Sequence, residues 1–325
     1  MRHIFKAVTG GRLRNARAPL LISWALTYRC NQRCLYCQIQ KIKCRELSTK
    51  EILAVIDELA LMKTILICLS GGEPLLRDDI GEITACLRKK NIAFDISSNG
   101  SLIKKKISEI EGVRLLCLSL DGPEDLHDRI RGKKGAYRDV LEAARIAKKK
   151  KIAVYFRTVL SRLNLDRVDY ILSIAKGLGI KVLFQPATKF IYGTGRLNPF
   201  APPVQRYRKV IDKLMLEKKN GNNCIHSPPV VLKYIRQWPG RKRIYCCSGK
   251  IFFHIGPDGM LYPCIWGRDP EIIEGRDCLK MGIKEAVASL PEAKAKCDGC
   301  LDIAACGFNL SLFSYSLSDI AKLNI

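Results

Sequence analysis

From about residue 20 onward, short apolar runs and helix-patterned segments alternate, and this alternation constrains the fold more than any other feature. The strand-like runs are "LISWALTY" (21–28), "ILICLS" (65–70), "IAFDIS" (92–97), "RLLCLSL" (114–120), "IAVYFRTVL" (152–160) and "IKVLFQPA" (180–187). Helix candidates lie between them at 48–63, 78–91, 103–111, 137–150 and 166–178, and Ser48 with Glu51 forms the capping box expected at the start of the first. Strands joined by helical crossovers pair in parallel, because parallel neighbours need long right-handed connections. The near-continuous apolar character of the runs predicts a sheet covered on both faces, or one wholly or partly closed into a barrel. Such scaffolds carry their reactive loops at the C-terminal ends of the strands.

The chain of 325 residues, 47% hydrophobic, is long enough for one large α/β domain or two domains. Its longest apolar runs fall far short of the roughly 20 residues that a spanning helix needs, so no membrane span is expected. "MRHIFKAVTGGRLRNARAP" is basic but lacks the apolar stretch of a secretory signal, which places the protein in the cytoplasm. The net charge of +25, from 56 Lys and Arg against 31 Asp and Glu, attracts anions: nucleic acid, phospholipid or an acidic redox partner. The basic residues are spread along the chain, and "KKKK" at 148–151 closes a predicted helix where cations complement the dipole. A solvated basic surface accounts for this pattern better than a dedicated polyanion site.

Fifteen cysteines in a chain without an export signal do not read as a disulfide framework. Cys68, Cys86 and Cys117 stand singly in apolar patterns and read as small hydrophobes. Two groups remain. The first is "CNQRCLYC", with Cys30, Cys34 and Cys37 spaced C-x3-C-x2-C directly after the first strand, one ligand short of an ordinary four-ligand metal site. "SGGEP" follows the second strand, so two unusual loops share one rim. After the sixth strand come "YGTGRLNPFAPP", a helix near 203–219, and breaks at "NGNNC" and "SPP". "KIFFHIGPDGMLYPC" then reads as two short strands around an Asp258-Gly259 turn.

The triplet, with aromatic Tyr36 before its last cysteine, resembles the C-x3-C-x-φ-C signature of the radical S-adenosylmethionine (SAM) superfamily. The resemblance implies a partial (β/α)6 barrel in which Cys30, Cys34 and Cys37 hold three irons of a [4Fe-4S] cluster. The fourth iron is left for the amino and carboxylate groups of SAM, and such an open position is what chemistry at a metal requires. In these families the reduced cluster passes an electron to the sulfonium, and the 5′-deoxyadenosyl radical formed abstracts a substrate hydrogen. "GGEP", Gly71, Gly72, Glu73 and Pro74, is similar to the segment receiving the methionine amino group, with Glu73 a candidate for the ammonium. "SLDG" with "HDRIRG" is similar to a stretch of the maturase branch in which Ser119 would contact the ribose and Arg131 the methionine carboxylate, a role suited to a forked guanidinium. His127 and Asp128 read as residues that shape this loop. "SSNG", with Ser97 and Asn99, would border the pocket, and Tyr36 would lie beside adenine.

The second cysteine group, "CCSG" at 246–249, "GMLYPC" at 259–264 and "CDGCLDIAAC" at 297–306, resembles the auxiliary-cluster domain called SPASM or its shortened relative, twitch. A complete SPASM domain would have another cysteine four residues after Cys306, where Leu310 stands, so two full auxiliary clusters are not expected. Cys246, Cys264, Cys297 and Cys300 fit a twitch-type [4Fe-4S] cluster. Cys306 could replace one of them or serve a second cluster, Cys247 and Cys278 are spare candidates, and zinc stays open as an alternative. Ile265 occupies the place of an aspartate found in sulfatase-maturing relatives, which argues against that activity. The resulting division is a basic segment at 1–19, a radical SAM partial barrel at 20–220 and a SPASM/twitch-like extension at 221–325.

The resemblance implies an enzyme that cleaves SAM reductively and oxidises or crosslinks a substrate, either a small molecule or a peptide. Only about 20 residues precede the first strand, too few for a leader-binding domain, which favours the small molecule. A flavodoxin or ferredoxin would donate electrons, and the basic surface would steer such an acidic partner. An RNA-modifying or nucleic-acid-binding protein is the alternative from another class, disfavoured by an aromatic content of 7%.

Overall fold

The protein is described by a computed structural model over residues 17–191, 194, 196–240, 248–264 and 274–291. All six expected strands are present, as β1 (Leu21–Thr27), β2 (Leu66–Gly71), β3 (Ala93–Ser98), β4 (Leu115–Ser119), β5 (Ala153–Leu160) and β6 (Lys181–Pro186). Each pairs in parallel with its sequence neighbour. The sheet is open, in the order β6-β5-β4-β3-β2-β1-β7-β8-β9, as a partial barrel requires. β7 (Phe252–Ile255) and β8 (Met260–Tyr262) are the two short strands expected around Asp258-Gly259, and β9 is Arg276–Asp277. β7 pairs in parallel with β1, while β8 and β9 continue antiparallel, so this hairpin extends the main sheet.

The helices follow their local signals. α1 (Thr49–Leu61) begins at Ser48 with the capping box complete and turns Ile52, Val55, Ile56 and Leu59 inward. α2 (Ile80–Lys89) follows, and the expected helix at 103–111 is reduced to a single turn, α3 (Ile103–Lys106), rich in lysine. α4 (Glu124–Arg131) occupies the stretch read from sequence as a loop. Pro123 begins it and left-handed Gly132 ends it. α5 (Ala136–Lys149), α6 (Val168–Leu178) and α7 (Val204–Lys219) match their sequence patterns. α8 (Pro229–Ile235) and α9 (Cys278–Ser289) lie in the C-terminal third. α9 is fastened to α1 because Ile283 N donates to Glu58 Oε2 at 2.6 Å. No helix among the described residues is long and apolar enough to cross a membrane.

The two faces of the sheet differ, which the sequence reading did not anticipate. The face toward the helices is aliphatic and aromatic, with Ile67, Leu69, Phe94, Ile96, Leu116, Leu118 and Phe156 in one core. The alternate, inward positions carry Cys68, Ser70, Asp95, Ser97, Cys117, Ser119, Tyr155 and Arg157. The runs looked continuous because Cys68 and Cys117 were counted as apolar. Cys68 Sγ instead lies 3.8 Å from Ser97 Oγ on the polar side.

Phe253 of β7 is fully buried in the core. Phe253→Ala is expected to cost about 3–5 kcal/mol, as for other buried aromatic truncations, read as a shift of the denaturant midpoint. A cost below about 1 kcal/mol would show that β7 is not integral to the sheet.

Candidate cofactor and substrate site

The triplet loop leaves the C-terminal end of β1 and docks on the last turn of α4. Arg33 N donates to Arg131 O and Leu35 N to Ile130 O, each at 2.9 Å, which satisfies carbonyls that the helix end would otherwise leave open. Cys30, Cys34 and Cys37 are each partly buried, and Cys37 N donates to Cys34 O at 3.0 Å. A side chain at Gly132 would meet Arg33 O at 2.6 Å, so the docking needs a glycine there.

The "GGEP" segment is held against the same strand end. Gly72 N donates to Thr27 O at 2.8 Å and Glu73 N to Arg29 O at 2.9 Å. A Cβ on Gly71 would stand 2.1 Å from Thr27 O, and one on Gly72 2.2 Å from Arg29 O. Both glycines are therefore demanded by chain against chain. Pro74 opens a short 3-10 turn. Glu73 has no exposed surface: Oε1 accepts from Ser98 Oγ at 2.9 Å and Leu75 N at 3.2 Å, and Oε2 from Asn99 N at 2.7 Å. Burial raises its carboxyl pKa to about 7 against the pull of these donors. Asn99 Nδ2 in turn donates to Asn31 Oδ1 at 2.8 Å and lies 4.0 Å from Cys30 Sγ.

Arg131, the last residue of α4, is 6% exposed. Its Nη2 lies 2.7 Å from Asp121 Oδ2, its Nη1 3.7 Å from Cys34 Sγ, and its guanidinium 5.8 Å from the centre of the Tyr36 ring. Tyr36 OH donates to the same Asp121 oxygen at 2.8 Å. Asp121 was not singled out in sequence, although it stands in "SLDG" at the end of β4. It is fully buried and also accepts from Val159 N at 3.0 Å. Asp121 N donates to His127 Nδ1 at 3.1 Å, and burial with the Arg131 charge drives the His127 pKa well down, leaving the imidazole neutral. Asp128 accepts from Gly135 N and Tyr137 N at the start of α5, so both residues shape the chain. Ser97 and Ser119 lie on the inward face below this rim.

The donor set suits a thiolate-held cluster. Cys30 receives the Gln32 N–H, Cys37 the Ile39 N–H, and Cys34 the Arg131 guanidinium, which together offset negative charge on sulfur. Burial raises all three thiols, Cys37 to about 11, so assembling a cluster must displace protons. Among the described residues no three His, Cys, Asp or Glu side chains converge on a single-ion site. Cys246, Cys247, Cys297, Cys300 and Cys306 lie outside the described residues. Cys264 ends the hairpin, partly buried, and Cys278 is buried in the core at the start of α9.

Comparison with known proteins agrees with this geometry. Residues 24–174 match the model of the radical SAM superfamily. The AdoMet-dependent heme synthase of Methanosarcina barkeri (strain Fusaro / DSM 804) is 34% identical over 169 residues, 50% of this chain and 48% of that protein. The Fe-coproporphyrin III synthase of the same organism is 35% identical over 165 residues, 49% of this chain and 41% of that protein. The chain thus spans less than half the length of these curated relatives. Among solved structures, Streptococcus suis SuiB bound to S-adenosylmethionine superposes with a TM-score of 0.68 at 14% identity, covering 87% of this chain and 69% of that one. The anSMEcpe enzyme with bound AdoMet gives 0.65 at 20% identity, covering 84% and 80%. The chain shares the fold of these enzymes.

Asp121→Ala would leave the Arg131 charge buried and unpaired, and a loss of about 3–5 kcal/mol is expected. Chemical denaturation measures it, and a change under about 1 kcal/mol would show that the pair does not anchor the rim.

Proposed function

We propose that the chain is a radical SAM enzyme acting on a carboxylate-bearing small molecule of the tetrapyrrole class. The observation that carries the first part is the convergence of the triplet loop, Gly71–Pro74 and Arg131 on one rim through Glu73, Asn99 and Asp121. A cluster held by Cys30, Cys34 and Cys37 would supply the electron that cleaves SAM to a 5′-deoxyadenosyl radical. Arg131 orients Cys34 and Asn99 sits against Cys30, while the Gly71–Gly72 backbone shapes the place for the methionine end. Glu73 braces this segment, and Tyr36 and Ser119 border the nucleoside side.

The tetrapyrrole class is favoured because the two curated relatives are named for a heme and an iron-coproporphyrin, whereas the peptide-binding neighbours share the fold alone. The barrel would span 20–220 and an auxiliary [4Fe-4S] cluster at 221–325 would use Cys246, Cys264, Cys297 and Cys300, with Cys306 as a further ligand. That cluster would accept an electron from the oxidised substrate.

Anaerobic reconstitution with iron and sulfide, followed by SAM and dithionite, is expected to yield 5′-deoxyadenosine, and replacing Cys30, Cys34 and Cys37 by alanine should abolish it. An absence of 5′-deoxyadenosine from the iron-loaded protein, with and without Fe-coproporphyrin III, would overturn the enzyme reading.

Arg33, Lys41 and Lys43 lie exposed on and after the triplet loop, where an acidic flavodoxin or ferredoxin would dock. Reversing these three charges to glutamate is expected to slow SAM cleavage driven by reduced flavodoxin by at least about tenfold at low salt, through weakened steering. The dithionite-driven rate should hold. Equal slowing with both reductants would rule out a docking role.

A further inference from the structure

After α7 the chain returns to the open edge of the sheet, alongside β6. Val182 N donates to Cys224 O at 2.6 Å, His226 N donates to Val182 O at 2.9 Å, and Ile225 pairs with Val182 in parallel. Ile225 and Val182 are both buried in the helix-side core, so the alternation of an extended chain turns Cys224 and His226 to the inward face. The ring of Tyr155, an inward residue of β5, agrees: its centre lies 4.2 Å from that of His226, with the planes 36° apart. His226 thereby stands beside Leu183, in the lateral row that runs on through Arg157 of β5 to Ser119 of β4.

Neither the cofactor reading nor the fold makes use of this imidazole. Among the described residues neither of its ring nitrogens has a hydrogen-bond partner. Burial, helped by the charges of Lys181 and Lys218, lowers its pKa to about 4, so the ring is neutral and one nitrogen keeps an open lone pair. A phenylalanine at this position would stack on Tyr155 without the cost of desolvating unpaired nitrogens. Of the described histidines, His127 and His254 are 0% and 2% exposed, whereas His226 is partly exposed.

We propose that His226 is the axial ligand to the iron of an iron-bearing tetrapyrrole bound on the inward face of the sheet. This rests on the tetrapyrrole reading above and specifies which atom of that substrate the protein grips. A neutral imidazole nitrogen is a common donor to iron in a macrocycle. The Tyr155 stack and the backbone pairing with β6 hold the ring in place before the iron arrives. The bond that forms runs from the nitrogen lone pair to iron; no electron is transferred and no proton has to leave. Ligation at the metal fixes the centre of the macrocycle but leaves rotation about the iron–nitrogen axis, so contacts to the acid groups at its edge decide which part of the periphery meets the rim. Cys224, two residues earlier on the same face, is the competing donor in this stretch.

The test titrates the reconstituted full-length protein with two probes, Fe-coproporphyrin III and metal-free coproporphyrin III, each followed by its Soret absorbance. Iron and sulfide content checks that every variant is loaded. His226→Phe keeps the aromatic stack and removes the nitrogen. It is expected to move the Soret band and the ferric EPR signal of the iron probe and to weaken its binding by at least about tenfold, while the metal-free probe binds within about twofold of wild type. In His226→Ala, added imidazole should restore the wild-type spectrum, and Cys224→Ala should leave that spectrum unaltered. Four results would overturn the proposal: no binding of the iron probe to wild type, a wild-type spectrum in His226→Phe, equal loss of both probes, or a spectral change in Cys224→Ala in place of His226→Phe. If wild type binds neither probe, the tetrapyrrole reading falls too; in the remaining cases it stands, so the two failures are distinct.

Discussion

The fully buried carboxylate of Glu73 ties three strand ends of the rim together. Glu73 receives donors from its own turn at Leu75, from Ser98 at the end of β3 and from the Asn99 backbone, while its own N–H is bound to Arg29 beyond β1. Three strand ends are thereby tied at one residue. Burying a carboxylate is costly, and several directed hydrogen bonds are what make it tolerable. Both oxygens accept hydrogen bonds from protein donors, which places Glu73 to keep the neighbouring loops in register.

Arg131 shows the same economy of design at the other side of the triplet. Its charge is balanced by Asp121 and shared with Cys34, and the Tyr36 hydroxyl completes the arrangement. Because the helix that carries it also receives the triplet loop through Arg33 and Leu35, the position of Cys34 depends on α4 as a whole. The orientation of a metal ligand is commonly set by such partners one layer out.

Much of this was legible in sequence. The six strands and the larger helices have periodic patterns, and the Ser48 capping box marked α1 correctly. α4 was missed because Glu124–Arg131 is short and mostly charged, and Ile130 is its one fully apolar side chain among the three buried ones, His127, Ile130 and Arg131. The polarity of the inward face was missed for a different reason: cysteine scores as apolar, so Cys68 and Cys117 hid the alternation that Asp95 and Arg157 reveal. Asp121 was passed over within a recognised motif, since no local pattern announces a partner 10 residues ahead at Arg131. The pairing of β7 with β1 joins segments more than 220 residues apart, a relation that no window of sequence contains.

That pairing has a mechanical consequence. Ser23 and Trp24, which precede the triplet on β1, lie directly against His254 and Ile255, which precede the hairpin ending at Cys264. A backbone ladder is stiff, so the sheet acts as a ruler between the launching points of the two cysteine-bearing loops. The spacing between those two launching points is therefore set by strand register.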